Sequence, residues 1–346
     1  MIKDVKKKLR VAVIGCGRIS VMHLGSIKML DEELVCVCDI KPDRAEEAAE
    51  KYGTKAYTDY IEMLDNEQLD AVHICLPHYI HCKVATEAIK RGVAVLSEKP
   101  MDVNYEAAEA AVALAKERNV LFGIVSQCRY NNSAVLVKRA LEAGKLGKII
   151  SARSILTWSR DDAYYAESDW KGTWDKEGGG VVIDQAIHSI DLVNWMIGDE
   201  IKSISANLCK HSNKICEVED TAEGFIEYEG GAVYGFYCMN NYAVDEPIEI
   251  ILQCEKGKAV FDYDDAVITY NDGAVEQAHQ DFSADYNGGK DYWGFQHVRQ
   301  IRQFYAALRG EEPLDISGEE ALKTHKLICA IYENGTRNGK LKSRNA

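Results

Sequence analysis

Short apolar runs alternate with amphipathic stretches over the first third of the chain. The runs fall at 9–14, 34–38, 71–75, 93–96 and 120–124, and between them lie stretches at 21–30, 43–52, 80–91 and 105–118 with apolar residues at helical spacing. That alternation predicts a parallel sheet covered by helices, a doubly wound α/β domain over about 1–125. Past Ser126 the pattern changes. Helical spacing appears at 133–143 and 178–197, while alternating runs occupy 149–158, 201–210, 221–228, 233–240, 248–253 and 259–262. Hairpin signals such as Glu229-Gly230-Gly231 and Glu255-Lys256-Gly257 join these runs. They predict a second, α+β domain over 126–346, built on a large, mostly antiparallel sheet with helices on one face and the other face open. Two helices, at 292–308 and 318–334, close the chain and are expected to be able to pack back on the first domain.

Composition narrows the function. A chain of 346 residues suits two domains, and an apolar fraction of 47% is that of an ordinary globular protein. The formal charge of -14, with no extended basic stripe, argues against a nucleic-acid or anionic-membrane partner. A small substrate is expected instead. The basic stretch Lys6–Arg10 is followed by too few apolar residues for a secretory signal, and no run reaches membrane-spanning length. Eleven cysteines scattered through apolar strands read as reduced thiols in a cytoplasmic protein. Cys36 and Cys38 form only a C-x-C pair with alternate side chains on opposite strand faces, which argues against a zinc site, and no metal is expected.

Gly15-Cys16-Gly17-Arg18-Ile19-Ser20 follows the first strand and opens a helix, the context a dinucleotide fingerprint requires. Gly15 permits the tight turn and Gly17 lets a pyrophosphate approach; Ser20 stands where a third glycine is usual. Asp39 ends the second strand 24 residues after Gly15, where a carboxylate would bind the adenosine ribose hydroxyls. The same charge would repel a 2'-phosphate, so NAD is favoured over NADP, with Lys41 and Arg44 nearby as groups that could hold a phosphate. The alternative for Asp39 is a simple turn residue at the strand end.

The segment from Gly178 to Gly198 places Asp184 and His188 four residues apart on one helical face, where a carboxylate and an imidazole can share a proton. Three glycines open it, permitting close backbone approach or unusual dihedrals, and Gly198 ends it. Glu98-Lys99-Pro100 follows the strand at 93–96, at the carboxyl edge where open parallel sheets bind ligands. Lys99 would stabilise a developing alkoxide or pass a proton. The plainer alternatives are a structural histidine and a solvated lysine.

Together G-x-G-x-x-S, E-K-P and G-G-x-x-x-D-x-x-x-H resemble the glucose-fructose oxidoreductase and inositol dehydrogenase family, Gfo/Idh/MocA. The likeness extends through Gln127-Cys128-Arg129-Tyr130, Gly144-Lys145-Leu146-Gly147 and 314–332. It implies a Rossmann domain, a catalytic group of Lys99, Asp184 and His188, and a homo-oligomer, dimer or tetramer, formed through the C-terminal sheet. Cofactor contacts are implied from Gly15, Gly17, Arg18, Ile19, Asp39, Ile40 and Arg44. Leu76, Pro77, His81, Glu98, Lys99 and Gln127 are expected to continue them, with Trp170 and Lys171 standing where relatives carry a Trp-Arg pair near the cofactor. His78 departs from the asparagine that many relatives have after the proline.

The implied reaction is oxidation of a secondary alcohol, with His188 as the base, Asp184 orienting it, and Lys99 bonded to the reacting oxygen. Trp158, Tyr164, Tyr165, Trp170 and Trp174 cluster in one short span, and aromatic faces beside polar groups suit a sugar ring. Packing between domains explains them equally well. Expected substrate contacts are Lys99, Arg129, Tyr130, Trp158, Tyr164, Asp184, His188 and Tyr237, with Asn240, Tyr286 and His297 as looser candidates. Three functions fit: an NAD-dependent sugar, glycoside or cyclic-polyol dehydrogenase such as an inositol dehydrogenase; a redox-assisted glycoside-processing enzyme with retained NAD; and a non-catalytic NAD-binding sensor.

Overall fold

The structure is a computed structural model that describes residues 7–211, 215–262, 264–279, 296–339 and 341. The chain forms two compact units, the first made of Met1–Asp102, Glu106–Gln127 and Phe282–Ala321, the second of Val103–Tyr105, Cys128–Asp281 and Leu322–Ala346.

In the first unit the elements run β1 (Arg10–Ile14), α1 (Ser20–Met29), β2 (Glu33–Cys38), α2 (Pro42–Tyr52), β3 (Lys55–Tyr57), α3 (Tyr60–Asn66), β4 (Ala71–Ile74), α4 (His81–Lys90), β5 (Ala94–Ser97), α5 (Tyr105–Arg118) and β6 (Phe122–Ile124). The strands pair in the order β3-β2-β1-β4-β5-β6, all parallel. Strand β4 and residues 11–14 of β1 are wholly buried, as helices on both faces demand. Helix α2 starts with proline and stops at Gly53, whose φ of +68° favours a residue without Cβ. The strand order reverses between β1 and β4, which opens the crevice where such sheets bind ligands.

The second unit contains α6 (Asn132–Glu142), β7 (Ile149–Thr157), α7 (Asp162–Ala166), a π-helical turn at Val182–Ala186, α8 (Ile187–Ile197), β8 (Ile201–Lys210), β9 (Thr221–Tyr228), β10 (Val233–Met239), β11 (Glu249–Cys254), β12 (Gly257–Asp262), β13 (Asp265–Tyr270) and β14 (Val275–Ala278). Helix α9 (His297–Leu308) returns to the first unit, and α10 (Gly318–Asn334) and β15 (Thr336–Gly339) follow it. The nine-stranded order is β14-β13-β12-β11-β7-β10-β9-β8-β15. Its pairs are antiparallel except β7 with β10 and β8 with β15.

Alternation along these strands separates two faces. Ala222, Ile226, Tyr228, Tyr234, Phe236 and Cys238 are buried on the inner face. There the Tyr228 hydroxyl donates to Asn194 of α8 at 3.2 Å. Arg153, Glu223, Phe225 and Tyr237 point the other way and line a shallow basin.

In the first unit, α9 packs on α1 and joins the end of β6 through its buried Gln300. The amide donates to the Ile124 carbonyl at 2.8 Å and accepts from Ser126 N–H at 3.0 Å. Residues 292–295, the expected start of this helix, and Tyr286 lie outside the described residues.

Candidate active site

Gly15 turns at the end of β1 with φ +96°, and a Cβ there would stand 2.3 Å from the Cys75 carbonyl oxygen. Only glycine fits that turn. Beside Gly17 the space is open, the nearest atom to an added Cβ being Arg44 Nη1 at 4.0 Å. Helix α1 then begins without a side-chain cap, and the Ser20 hydroxyl donates back to the Gly17 carbonyl at 2.6 Å. A backbone approach at Gly17, a guanidinium alongside and an uncapped helix start together fit a pyrophosphate. Asp39 accepts from Cys16 N–H and Lys41 N–H, both at 2.9 Å, which fixes its carboxylate at the end of β2 beside the exposed Ile40. These residues fit the adenosine half of NAD.

His81 and Glu98, both expected at the cofactor, are buried. The His81 ring nitrogens lie 2.7 Å from the Pro100 and Leu76 carbonyls, so the imidazole braces the Leu76-Pro77 loop against the Glu98-Lys99-Pro100 turn. Burial pushes its pKa down, opposed by the two carbonyls. The Glu98 carboxylate points inward, with His23 Nε2 at 3.0 Å and His297 Nε2 at 3.1 Å. Despite its burial, those two imidazoles hold it well below the usual carboxylate range. His23 continues through Nδ1 to His73 at 2.8 Å, and His73 Nε2 meets the Tyr305 hydroxyl at 2.9 Å. No periodicity announces this chain of histidines, whose members are scattered from α1 to α9. Lys99 directly follows Glu98, at the carboxyl end of β5.

In the second unit the expected unbroken helix at 178–197 is instead a glycine turn, a π-helical turn and then α8. The cause lies in Glu219. Its carboxylate accepts Gly180 N–H at 3.0 Å, Val182 N–H at 3.1 Å and the Tyr332 hydroxyl at 2.7 Å. The backbone packs so closely that a Cβ at Gly179 would stand 2.0 Å from the Tyr332 hydroxyl, and one at Gly180 1.9 Å from the Glu219 carbonyl. Single π turns of this kind often mark functional sites. Between Val181 and Asn194 only Asp184 and His188 are half-buried, every other position being interior.

Asp184 Oδ2 accepts from the Tyr164 hydroxyl at 3.2 Å and from Gln185 Nε2 at 2.5 Å. Gln185 is held in turn by Asn240 at 3.1 Å, whose amide also reaches the Tyr165 hydroxyl at 2.7 Å. Lys171, expected near the cofactor, donates its ammonium to the Tyr164 hydroxyl. Glu177 accepts from Gly172 N–H, and burial together with the Asp184 charge pushes its pKa well up.

Three further expected substrate contacts have partners or positions of their own. Tyr237 lies on the outer face of the sheet, opposite the face that carries α8, because strand side chains alternate and Tyr234, Phe236 and Cys238 take the inner positions. Arg129 is interior and grips Asp191 through two bonds of 2.8 and 2.7 Å, with its guanidinium 5.1 Å from the Trp195 ring centre. Trp158 is buried, with its indole N–H donated to the Glu246 carbonyl at 3.1 Å. Trp170, Tyr130 and Tyr164 are half-buried, and Gln127 is interior. Sequence reasoning misses Glu177 and Glu219, although three consecutive glycines signal that something approaches the backbone there.

The model of the oxidoreductase family's NAD-binding Rossmann domain matches residues 9–125, and that of the GFO/IDH/MocA C-terminal domain matches residues 135–260. The chain is 25% identical to myo-inositol 2-dehydrogenase of Thermotoga maritima, covering 90% of this chain and 92% of that protein. It is 26% identical to D-glucoside 3-dehydrogenase of Escherichia coli, covering 95% and 97%. Among solved structures, the WlbA dehydrogenase of Bordetella pertussis, in complex with NADH and UDP-GlcNAcA, superposes with a TM-score of 0.84. The two are 29% identical, with 95% of this chain and 96% of that one covered. With both of its domains matched in order, the chain belongs to the Gfo/Idh/MocA family of NAD-binding oxidoreductases.

Proposed function

We propose that this oxidoreductase oxidises a ring secondary hydroxyl of a sugar, glycoside or cyclic polyol to the ketone, with NAD as its cofactor. The observation that carries the reading is the Asp184–His188 pair, half-buried in an otherwise interior segment and set by a π turn, in a chain whose first unit bears a glycine turn and an acidic strand end suited to NAD. Similarity to an inositol 2-dehydrogenase and a glucoside 3-dehydrogenase agrees with it. Bound NAD supplies the hydride acceptor. His188 takes the hydroxyl proton, Asp184 orients the imidazole and stabilises its charged form, and the Lys99 ammonium bonds the reacting oxygen as negative charge develops there. A net charge of -14 favours a small neutral substrate over a polyanion.

The outer face of the large sheet, with Phe225 46% and Val267 39% exposed, supports a homo-oligomer formed there. All eleven cysteines stand as thiols, nine of them buried and Cys16 and Cys209 half-buried, which supports a reducing, cytoplasmic setting. No described helix is long and apolar enough to cross a membrane.

Incubating purified protein with NAD or NADP and a panel of inositols, hexoses, methyl glycosides and nucleotide sugars tests the function. Reduced nicotinamide should accumulate with at least one ring alcohol and NAD. A panel on which neither cofactor is reduced counts against it.

A further inference from the structure

Tyr164 is bound on both sides by charge. Its hydroxyl accepts from the Lys171 ammonium and donates to Asp184 Oδ2 at 3.2 Å, while Lys171 Nζ also sits 3.7 Å from the centre of the phenol ring. A hydroxyl has one proton to give and lone pairs to receive, so the two bonds are compatible only in this direction. Donation from the ammonium polarises the O–H and strengthens its bond to the carboxylate. We propose that Tyr164 and Lys171 are positioning residues for the reaction, transmitting the lysine's positive charge to Asp184 and so setting the basicity of His188.

This role deepens the assignment of Asp184 and His188 under the proposed function and rests on it. Several charged groups face the phenol. Arg160 lies 5.3 Å from its ring centre, and Tyr165 meets it edge-on with ring centres 5.2 Å apart. Burial first, and then the Asp184 charge, raises the phenol well above its ordinary pKa, with the Glu177 carboxyl also facing it, so Tyr164 remains a hydrogen-bond donor. Gln185 gives Asp184 Oδ2 a second bond and is itself fixed by Asn240. The carboxylate is therefore held in one orientation, and Lys171 is the cation bonded to the group that bonds it.

The sign of the coupling follows from charge. Deleting the Tyr164 hydroxyl or the Lys171 ammonium leaves more negative potential at Asp184, which favours the imidazolium of His188 and raises its pKa. The test is a histidine titration by NMR of the NAD-loaded protein labelled at its nine histidines, with the His188 resonance assigned from H188Q. Y164F and K171M should each raise the His188 pKa by about half a unit, roughly a threefold gain in proton affinity, while K171R stays near the parent. The double variant should shift less than the sum of the singles, because both act through one route. A His188 titration unmoved in both single variants, with NAD binding and melting unchanged, overturns the proposal. So does a shift that K171R fails to rescue. If H188A still turns over the panel alcohols, the assignment of His188 as the base falls whatever the titration shows. If H188A is inactive and the titration stays put, the inference about Tyr164 alone falls.

Discussion

Arg129 and Asp191 meet as two parallel N–H···O bonds of 2.8 and 2.7 Å, with both side chains nearly excluded from solvent. Thr324 adds a third donor to the same carboxylate at 2.7 Å. An arginine so engaged belongs to the architecture of the second unit. Removing one member of a buried pair strands the other charge, at a cost of about 3–5 kcal/mol. R129M should lose that much in denaturant unfolding, and R129M combined with D191L should recover a large part of it. A single substitution costing under about 1 kcal/mol contradicts this placement.

The close approach at Gly180 leaves no room for a side chain. A Cβ 1.9 Å from the Glu219 carbonyl must displace backbone, and the Glu219 carboxylate ties the two segments together through Gly180 N–H. Overpacking of this kind costs about 1–3 kcal/mol or more. G180A should melt earlier than the parent and lose turnover by more than it loses NAD affinity, since the turn that carries Asp184 moves while the first unit stays intact. Equal activity in G180A and the parent argues against the π turn as the device that sets Asp184.

Glu177 yields a pH prediction. Burial and the Asp184 charge raise its pKa well above 4.5 in the folded chain. Between the ordinary carboxyl value and that raised one, the folded state holds a proton that the unfolded state has lost, so stability falls as pH rises through the window. E177Q should flatten the decline above about pH 4.5 while keeping an acceptor for Gly172 N–H. Parallel stability curves for parent and variant from about pH 5 upward count against a protonated Glu177.

Charge at Asp39 should select the cofactor. D39S removes the carboxylate and its bonds to Cys16 and Lys41 N–H. It should weaken NAD by about tenfold or more, the scale of a lost charged hydrogen bond, and improve NADP relative to NAD. Titration of both cofactors checks it, and an unchanged preference removes Asp39 from the ribose site.

The parts of the molecule legible in the sequence are those written by local periodicity. Strands β1, β2 and β4 are short apolar runs between amphipathic helices, and the pattern at 318–334 marks α10 at its observed bounds. Strand β3, Lys55–Tyr57, goes unread because three residues at a sheet edge, the lysine among them, carry no alternation. Arg129, expected as a substrate contact, bonds a partner 62 residues away, and sequence spacing says nothing about pairs that only the fold creates. Tyr237 falls on the outer face by strand alternation, its neighbours Phe236 and Cys238 being the buried ones. Spacing alone singles out Asp184 and His188 as candidates, but the π turn that carries Asp184 depends on Glu219, a contact across 39 residues.

The most direct test compares parent and H188A in two assays on the same preparation, NAD binding by calorimetry and turnover on the best panel alcohol. With His188 as the base, NAD affinity should stay unchanged within about twofold while turnover falls by about 100-fold to 10,000-fold, the range that general base catalysis supplies. Turnover that survives in H188A, or that falls only in proportion to NAD affinity, contradicts that assignment.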